Sequence, residues 1–557
     1  MVLNSQMNNQ KFQNITIKSR IRNWVLILGI LIATPMTLWG MTESDKKLLK
    51  QFQEEEPEIY SRSRLVSERG RQLLEISLGD ILKLVKSRSI TLKSSLMGEQ
   101  AALSQLALAE QPTQPYLTTT IQQVRAASLS STNLQESSTL PVPYYLKAIS
   151  TDQTLISATW SKKNKLGMTF STSLEKTTQQ TKTYTKTTKE DTLSGGEPTD
   201  DPLESATLSV GMSVPLFQDF GEVNRSNEIR AEVGFEQSQL STDQTELSLL
   251  ESVAKTYWTL VGVRENINSL EEAVKLSALL VEETGARVDV GILNYTDLKE
   301  AETQLANNRQ SLLSAKINEQ EIEDQIRVAL NLENVSFGFK PADSPTIHKE
   351  QLDPAKLLEK SYANSVQIKL LTASIKANSV DLMEAENLDR TNLDLSLQYN
   401  LSGYGATSSE SLQVFDNEPL QGYAVGLSWT VPLFDNITPK RIAQAKIKRS
   451  QIELQRQDAK SQLTINLQTI LRNLRFGLEE EKNAILSKEL AKDLLDKEIE
   501  KLKIGKSTGY NVSQAQQNYT SARYLDVLVR VKNEQNFIAL LSLTGDLYSH
   551  FNLPERE

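Results

Sequence analysis

The chain has 557 residues, a net charge of −9 at neutral pH and no cysteine. Without cysteine there is no disulfide frame, no thiolate metal site, no thiol nucleophile and no lipid attachment through an N-terminal cysteine. The only histidines, His348 and His550, are far apart in sequence, which argues against a histidine-rich metal centre or catalytic triad.

Lys11, Lys18, Arg20 and Arg22 precede an apolar core from Trp24 to Ala33. That core is about half the roughly 20 residues a membrane-spanning helix needs, and it reads as the secretory signal peptide of residues 1–40, cleaved near Gly40. A short membrane anchor is the other reading. The signal holds four basic and no acidic residues, so the remainder carries −13. Such an acidic surface argues against nucleic acid as a partner.

Residues 41–70 are charged and aperiodic, and read as an arm or linker. A helical pattern runs from Ile76 to about Glu110 and stops at Pro112 and Pro115. β pattern follows over about 115–217, with candidate strands near Tyr116–Val124, Leu155–Trp160, Leu166–Leu174 and Ala206–Phe217. How many of them join a sheet is open at this stage. Lys176 to Pro202, rich in Thr, Lys and Gln, reads as a solvated loop.

The last of these strands ends in Val214-Pro215-Leu216-Phe217. A long helical run over 219–332 then folds back at Val290-Gly291-Ile292. No proline occurs from Leu216 to Lys340. A helix over Val223–Thr284 would be on the order of 90 Å long. Within it Val253, Leu260, Ile267, Val274 and Val281 recur every seven residues, the period of a coiled-coil seam.

The order then repeats. The first copy spans 71–340 and the second 341–557. The second has an entry helix over 350–389, strands over 392–402 and 422–434, and a helical hairpin over 438–544 with its turn at Ile504-Gly505-Lys506. Leu393, Leu395, Leu397, Tyr399 and Leu401 alternate with Asp394, Ser396, Gln398 and Asn400. One apolar and one polar face suit a membrane β-barrel, or equally a small soluble sheet capping a coiled coil. Ser402 to Gly422 reads as the loop of the hairpin. Helices this long cannot bury a seam against themselves, so partner helices are required.

In order, these pieces resemble the TolC-type outer-membrane efflux protein family. The resemblance is carried by the entry helix Ile76-Ser-Leu-Gly-Asp-Ile-Leu-Lys-Leu-Val85, the strand end Val-Pro-Leu-Phe present twice, and the paired turns Val290–Leu298 and Ile504–Val512. It implies an α+β membrane protein: a duplicated β-hairpin plus long antiparallel coiled-coil helices, forming a trimeric β-barrel and α-helical tunnel. The twelve-stranded barrel would be shared by three chains in outer-membrane lipid. Such a protein would be the passive exit duct of a tripartite efflux or type I secretion system. Its partners would be a periplasmic adaptor and an inner-membrane pump.

By the same resemblance Pro215 and Pro432 mark the bend from barrel to tunnel. Val290, Gly291, Ile292, Ile504, Gly505 and Lys506 form the adaptor-contact tips. Thr296, Asp297, Glu300, Asn511 and Gln514 stand at the pore constriction. The second copy departs from the family there, with Asn511 and Gln514 in place of aspartates and with Ser507 and Leu502 in place of an arginine and tyrosine that lock the closed state. Acidic pairs such as Glu271-Glu272 read as solvated charge, and no catalytic constellation, metal site or cofactor motif is visible. The competing function is a periplasmic coiled-coil adaptor or scaffold without a pore.

Overall fold

A computed structural model describes residues 64–130, 146–186, 194–198, 202–332, 335, 337–348 and 353–554. The signal peptide and most of the charged arm lie outside the described residues. The chain forms two compact units, and each draws on both sequence copies. Over the described residues, one lies within 64–93, 245–364 and 464–554, and the other within 94–244 and 365–463.

In the first unit, β1 (Arg64–Glu68) and β2 (Arg71–Ile76) form a hairpin, and β8 (Gly338–Pro341) pairs parallel to β2. The expected arm therefore ends in a strand. Its turn is Arg69-Gly70, both at positive φ, the geometry that matches strand twist in a two-residue hairpin. Helix α1 (Leu78–Arg88) starts on Ser77, whose hydroxyl accepts the Asp80 N–H. The predicted continuous entry helix breaks at Ser89, which is non-helical (ψ 127°), and resumes as α2 (Ile90–Ala109). The second copy does the same: α5 (Pro354–Asn364) and α6 (Val366–Leu388) meet at Ser365, whose hydroxyl caps Ile368. In both copies a serine restarts the helix by offering the backbone a side-chain partner.

The long helices are α3 (Ser226–Asp289, 64 residues), α4 (Tyr295–Ala329), α8 (Thr438–Lys503, 66 residues) and α9 (Gly509–Thr544), with a short α10 (Leu547–His550). The heptad on α3 holds at Val253, Leu260 and Ile267, all buried. Beyond them the burial moves to Ala273, Ser277 and Leu280, leaving Val274 and Val281 half-buried. A helix of 3.6 residues per turn drifts against a seven-residue repeat, so a sequence seam slides off the contact line unless the helix supercoils.

The core of this unit gathers Leu82 and Val85 of α1, Leu250, Tyr257, Leu260 and Ile267 of α3, Ile326 of α4, Phe337 and Phe339 around β8, and Phe537 and Ile538 of α9. Tyr257, 1% exposed, donates its hydroxyl to Asp343 (2.8 Å), and Asp343 also accepts the Leu78 N–H (2.7 Å). Burial and the Asp343 charge push the tyrosine pKa up, so it stays a donor. Fully buried Glu323 accepts from Arg71 (2.7 Å), Arg327 (3.3 Å) and the Phe339 N–H (3.3 Å). A Cβ at Gly338 would lie 2.5 Å from its carboxylate, which explains glycine there.

In the second unit, one sheet runs in the order β10-β9-β7-β5-β4-β3, with β6 added on β5. The strands are β3 (Tyr116–Ser130), β4 (Leu146–Lys163), β5 (Thr169–Lys186), β6 (Ser194–Pro198), β7 (Leu203–Pro215), β9 (Asn392–Gly405) and β10 (Leu420–Thr430), all antiparallel. One expectation is corrected. The stretch Lys176–Pro202 is not one loop: β5 continues to Lys186 and β6 follows, because its threonines suit a pleated surface as well as a solvated one. The number of early strands, left open by the sequence, is settled for the sheet: all four candidates join it, giving six long strands with β9 and β10.

Ser402–Gly422 is likewise not a simple loop. Helix α7 (Ser408–Asn417) occupies it, opened by Thr407, whose Oγ1 accepts the Glu410 N–H, while Glu410 accepts the Ala406 N–H. It packs on β9 so closely that a Cβ at Gly403 would sit 2.2 Å from the Ser411 carbonyl oxygen.

At the start of α3, Glu228 accepts from Lys165 in the β4–β5 turn (2.8 Å) and from Arg225 (3.1 Å). The Arg225 and Lys165 hydrogen bonds hold its carboxyl at about 2. A depressed carboxylate stabilises the fold above its unfolded pKa and loses that contribution as pH falls toward the folded value. Glu228→Gln should therefore lower thermal stability at pH 7, with the gap to wild type closing between about pH 4.5 and about pH 2; melting curves across that range check it. Tyr257→Phe should lower unfolding stability by about 1.5–3 kcal/mol, the loss of a buried bond to a charged acceptor, read as a shift in denaturation midpoint.

Candidate functional site

The two helical turns are built alike. At the end of α3 the Gly291 N–H donates to the Val288 carbonyl (2.9 Å) and the Ile292 N–H to that of Arg287 (2.8 Å). At the end of α8 the Gly505 N–H donates to Leu502 (3.1 Å) and the Lys506 N–H to Lys501 (2.8 Å). Both are Schellman motifs with the glycine left-handed, φ 76° and 74°. A Cβ at either glycine would meet nothing within 4 Å. Val290, Ile292 and Ile504 are each about two-thirds exposed at these turns, an apolar surface no neighbouring residue explains.

The first residues past the turns line a common groove of about 580 Å³. Thr296, Asp297 and Glu300 of α4 line it together with Arg287, Leu502 and Gln514. The structure thus brings Thr296, Asp297, Glu300 and Gln514 together, while Asn511 lies one turn before Gln514 and is exposed. One oxygen of Asp297 accepts the Asn294 N–H (3.0 Å), so this carboxylate also caps α4. Glu300 is exposed.

Leu502 is buried with Leu280, Leu495, Val512 and Ala515, an apolar clamp that fixes one turn against the other. Arg287 donates to the Leu502 carbonyl (3.4 Å) and pairs with Glu283. Ser507 donates to Glu498 (2.6 Å). The Lys501 ammonium and this hydroxyl hold the Glu498 carboxyl below the usual carboxylate range. Further along, Arg523 of α9 bridges Glu265 (2.6 Å) and Glu272 (2.5 Å) of α3. Glu272, read from sequence as free solvated charge, is thus an inter-helix partner.

The second feature is the sheet. Hydrogen-bond register puts Tyr423, Val425, Leu427 and Trp429 of β10 opposite Tyr399, Leu397, Leu395 and Leu393 of β9, and Val210, Met212 and Val214 of β7 continue the rows. Their side chains share one face, and Tyr423, Val425, Leu427 and Trp429 are 65–85% exposed. The opposite face carries Asp394, Ser396, Gln398 and Asn400. Pro215 ends β7 opposite Asp394, buried; Pro432 lies just past β10, exposed. Both sit where a ladder donor is no longer needed.

Sequence reasoning missed the pairing of the two histidines through one ring. His348 stacks on Phe537 at 3.6 Å and donates its Nε2–H to Glu534 (3.2 Å), while His550 meets the edge of Phe537 at 5.4 Å. Among the described residues no cluster of three His, Asp or Glu fit for a metal ion occurs. No helix among the described residues is long and apolar enough to cross a membrane.

Residues 165–332 match the family Outer membrane efflux protein. The chain is also similar in fold to the outer membrane protein VceC of Vibrio cholerae, at TM-score 0.58 and 13% identity over 84% of this chain and 96% of that one. The CmeC outer membrane channel of Campylobacter jejuni matches at 0.57 and 14%, over 84% and 86%. The MtrE outer membrane channel of Neisseria gonorrhoeae, in its open state, matches at 0.57 and 16%, over 84% and 89%. No curated protein matches. The resemblance to the outer-membrane efflux proteins thus has a family match over residues 165–332 and a shared fold over most of the chain behind it.

Gly291→Ala and Gly505→Ala should each cost about 1–2 kcal/mol, since a left-handed backbone strains an L side chain but nothing nearby clashes. Faster amide exchange confined to the last turn of α3 or α8 checks this.

Proposed function

We propose that the protein is the passive exit duct of a tripartite efflux or type I secretion system. It works as a homotrimer with its strands in a shared outer-membrane barrel and its helices in a periplasmic tunnel. The observation that carries this reading is the sheet: one apolar face, one polar face and, among the described residues, no layer over the exposed Tyr423, Val425, Leu427 and Trp429 of β10. A soluble cap would bury that face; lipid is the medium in which it is stable. Exposed Ile447, Leu454, Leu486, Leu490 and Leu494 on α8 leave a seam that neighbouring copies would cover.

In this reading the tips Val290, Gly291, Ile292, Ile504, Gly505 and Lys506 meet the periplasmic adaptor, which in turn couples to an inner-membrane pump. Thr296, Asp297, Glu300, Asn511 and Gln514 narrow the pore, and Pro215 and Pro432 mark the passage from barrel to tunnel. The protein itself is a channel and not an enzyme; energy comes from the pump. A poreless adaptor is disfavoured by the apolar sheet face and by two helical hairpins in tandem.

Membrane fractionation with unboiled gel migration tests the duct: an outer-membrane, SDS-resistant trimer is expected, and soluble or inner-membrane material would point to the adaptor. Purified protein in planar bilayers should conduct ions. Asp297→Ala combined with Glu300→Ala should reduce cation preference, since a threefold carboxylate ring concentrates cations; unchanged selectivity would remove the constriction assignment and leave the duct standing.

A further inference from the structure

The sheet has more strands than a share of four. Its two outermost, β3 and β4, come before residue 165, where the family match begins, and they carry the same two-faced pattern as the rest. Register sets Leu117, Thr119 and Ile121 of β3 beside Trp160, Ala158 and Ile156 of β4, and these beside Thr172, Leu174 and Lys176 of β5. Leu117 and Ile121 are 66% and 80% exposed. On the reverse face stand Thr118, Thr120 and Gln122 of β3 with Thr159, Ser157 and Leu155 of β4, mostly polar like the reverse face of β9. On this face β3 places Leu117 and Ile121 and β4 places Trp160, Ala158 and Ile156, against Phe170 and Leu174 on β5, which lies inside the family match.

The apolar band also crosses the sheet on a slant. At β10 its inner end is Trp429, opposite Leu393. At β3 its inner end is Leu117, which register carries through Trp160, Thr172, Val210 and Tyr399 to Tyr423. The band has moved six residues along the strands over five strand-to-strand steps, about one residue per strand. That is the stagger of a closed barrel whose shear equals its strand number, with strands tilted about 36°. The slant continues unbroken through β4 and β3. Beyond the band on the same face, Arg125 pairs with Asp152 (2.5 Å), with Lys182 at 3.7 Å, so charge closes the band off four residues past Ile121.

Among the described residues both edges of this sheet, the outer sides of β3 and β10, are unpaired, and six antiparallel strands leave the two edges running in opposite directions. We infer that β3 of one copy pairs antiparallel with β10 of the next, so that three copies close an eighteen-stranded barrel rather than a twelve-stranded one. The occupant of each edge is a second copy of this chain. Barrels of 16–18 strands leave an aqueous channel. This inference rests on the trimeric outer-membrane reading and adds the edge and the strand number to it.

Continuing the stagger across the joint places Leu117 near Trp429, Thr119 near Leu427 and Ile121 near Val425 of the neighbour. The chain has no cysteine, so introduced pairs are the only thiols. Thr119→Cys with Leu427→Cys, and the flanking pairs Leu117→Cys with Trp429→Cys and Ile121→Cys with Val425→Cys, are oxidised in isolated outer membranes. At least one should give covalent trimers on boiled, non-reducing gels, while Thr172→Cys with Leu427→Cys, which joins β5 to β10, should give none. Cross-linking through Thr172 would overturn the inference in favour of twelve strands. So would no cross-link at any β3 pair in variants that still migrate as SDS-resistant trimers unboiled. Wild-type protein that forms no membrane trimer would instead remove the duct reading on which the inference stands.

Discussion

Each backbone N–H and C=O group needs a partner, and hydrocarbon supplies none; a bare edge there costs several kcal/mol for every unpaired group. The sheet from β10 to β3 has two such edges and an apolar face beside them. Nothing in the chain covers those edges among the described residues, whereas β1, β2 and β8 form a small sheet against a packed core. The contrast separates two kinds of β structure in one molecule. One is finished inside its own unit; the other ends in two bare edges that run in opposite directions.

The interleaving of the two copies follows from the helices. α3 and α8 are each longer than any single unit's share of them, so each copy contributes to both compact units. Neither copy has an independent core of its own. The helical unit compensates with buried ion pairs as well as apolar packing. Arg264 reaches Glu319 (2.8 Å) and Glu68 (3.0 Å), and burial pushes the Glu319 carboxyl up despite the guanidinium. Such pairs favour one register between strand hairpin and helices more than they add stability.

Much of this was legible in residues. The period-two run from Leu393 to Leu401 announced β9, and absence of proline announced α3 and α8. Glycine in Val290-Gly-Ile and Ile504-Gly-Lys announced both turns. What escaped did so for physical reasons. Threonine-rich Lys176–Lys186 satisfies both a solvated loop and a strand whose faces both meet water. The helix-start sequence Thr407-Ser-Ser-Glu410 was present but sat inside a segment read as a hairpin loop. The drift of the α3 seam depends on whether the helix supercoils, which no local pattern states. The groove joining Glu300 to Gln514 depends on two turns far apart in sequence lying side by side, a tertiary fact, and the clamp of Leu280, Leu495 and Val512 that sets it is indistinguishable in sequence from ordinary heptad residues.

The two Schellman turns have a further consequence. Each reversal closes on its own carbonyls, with its glycine facing open space, so its shape owes nothing to a bound partner. A protein that gripped these ends would meet turns whose hydrogen bonds are already closed. Little conformational freedom remains to be lost on docking, and the encounter is governed by collision and orientation more than by induced ordering.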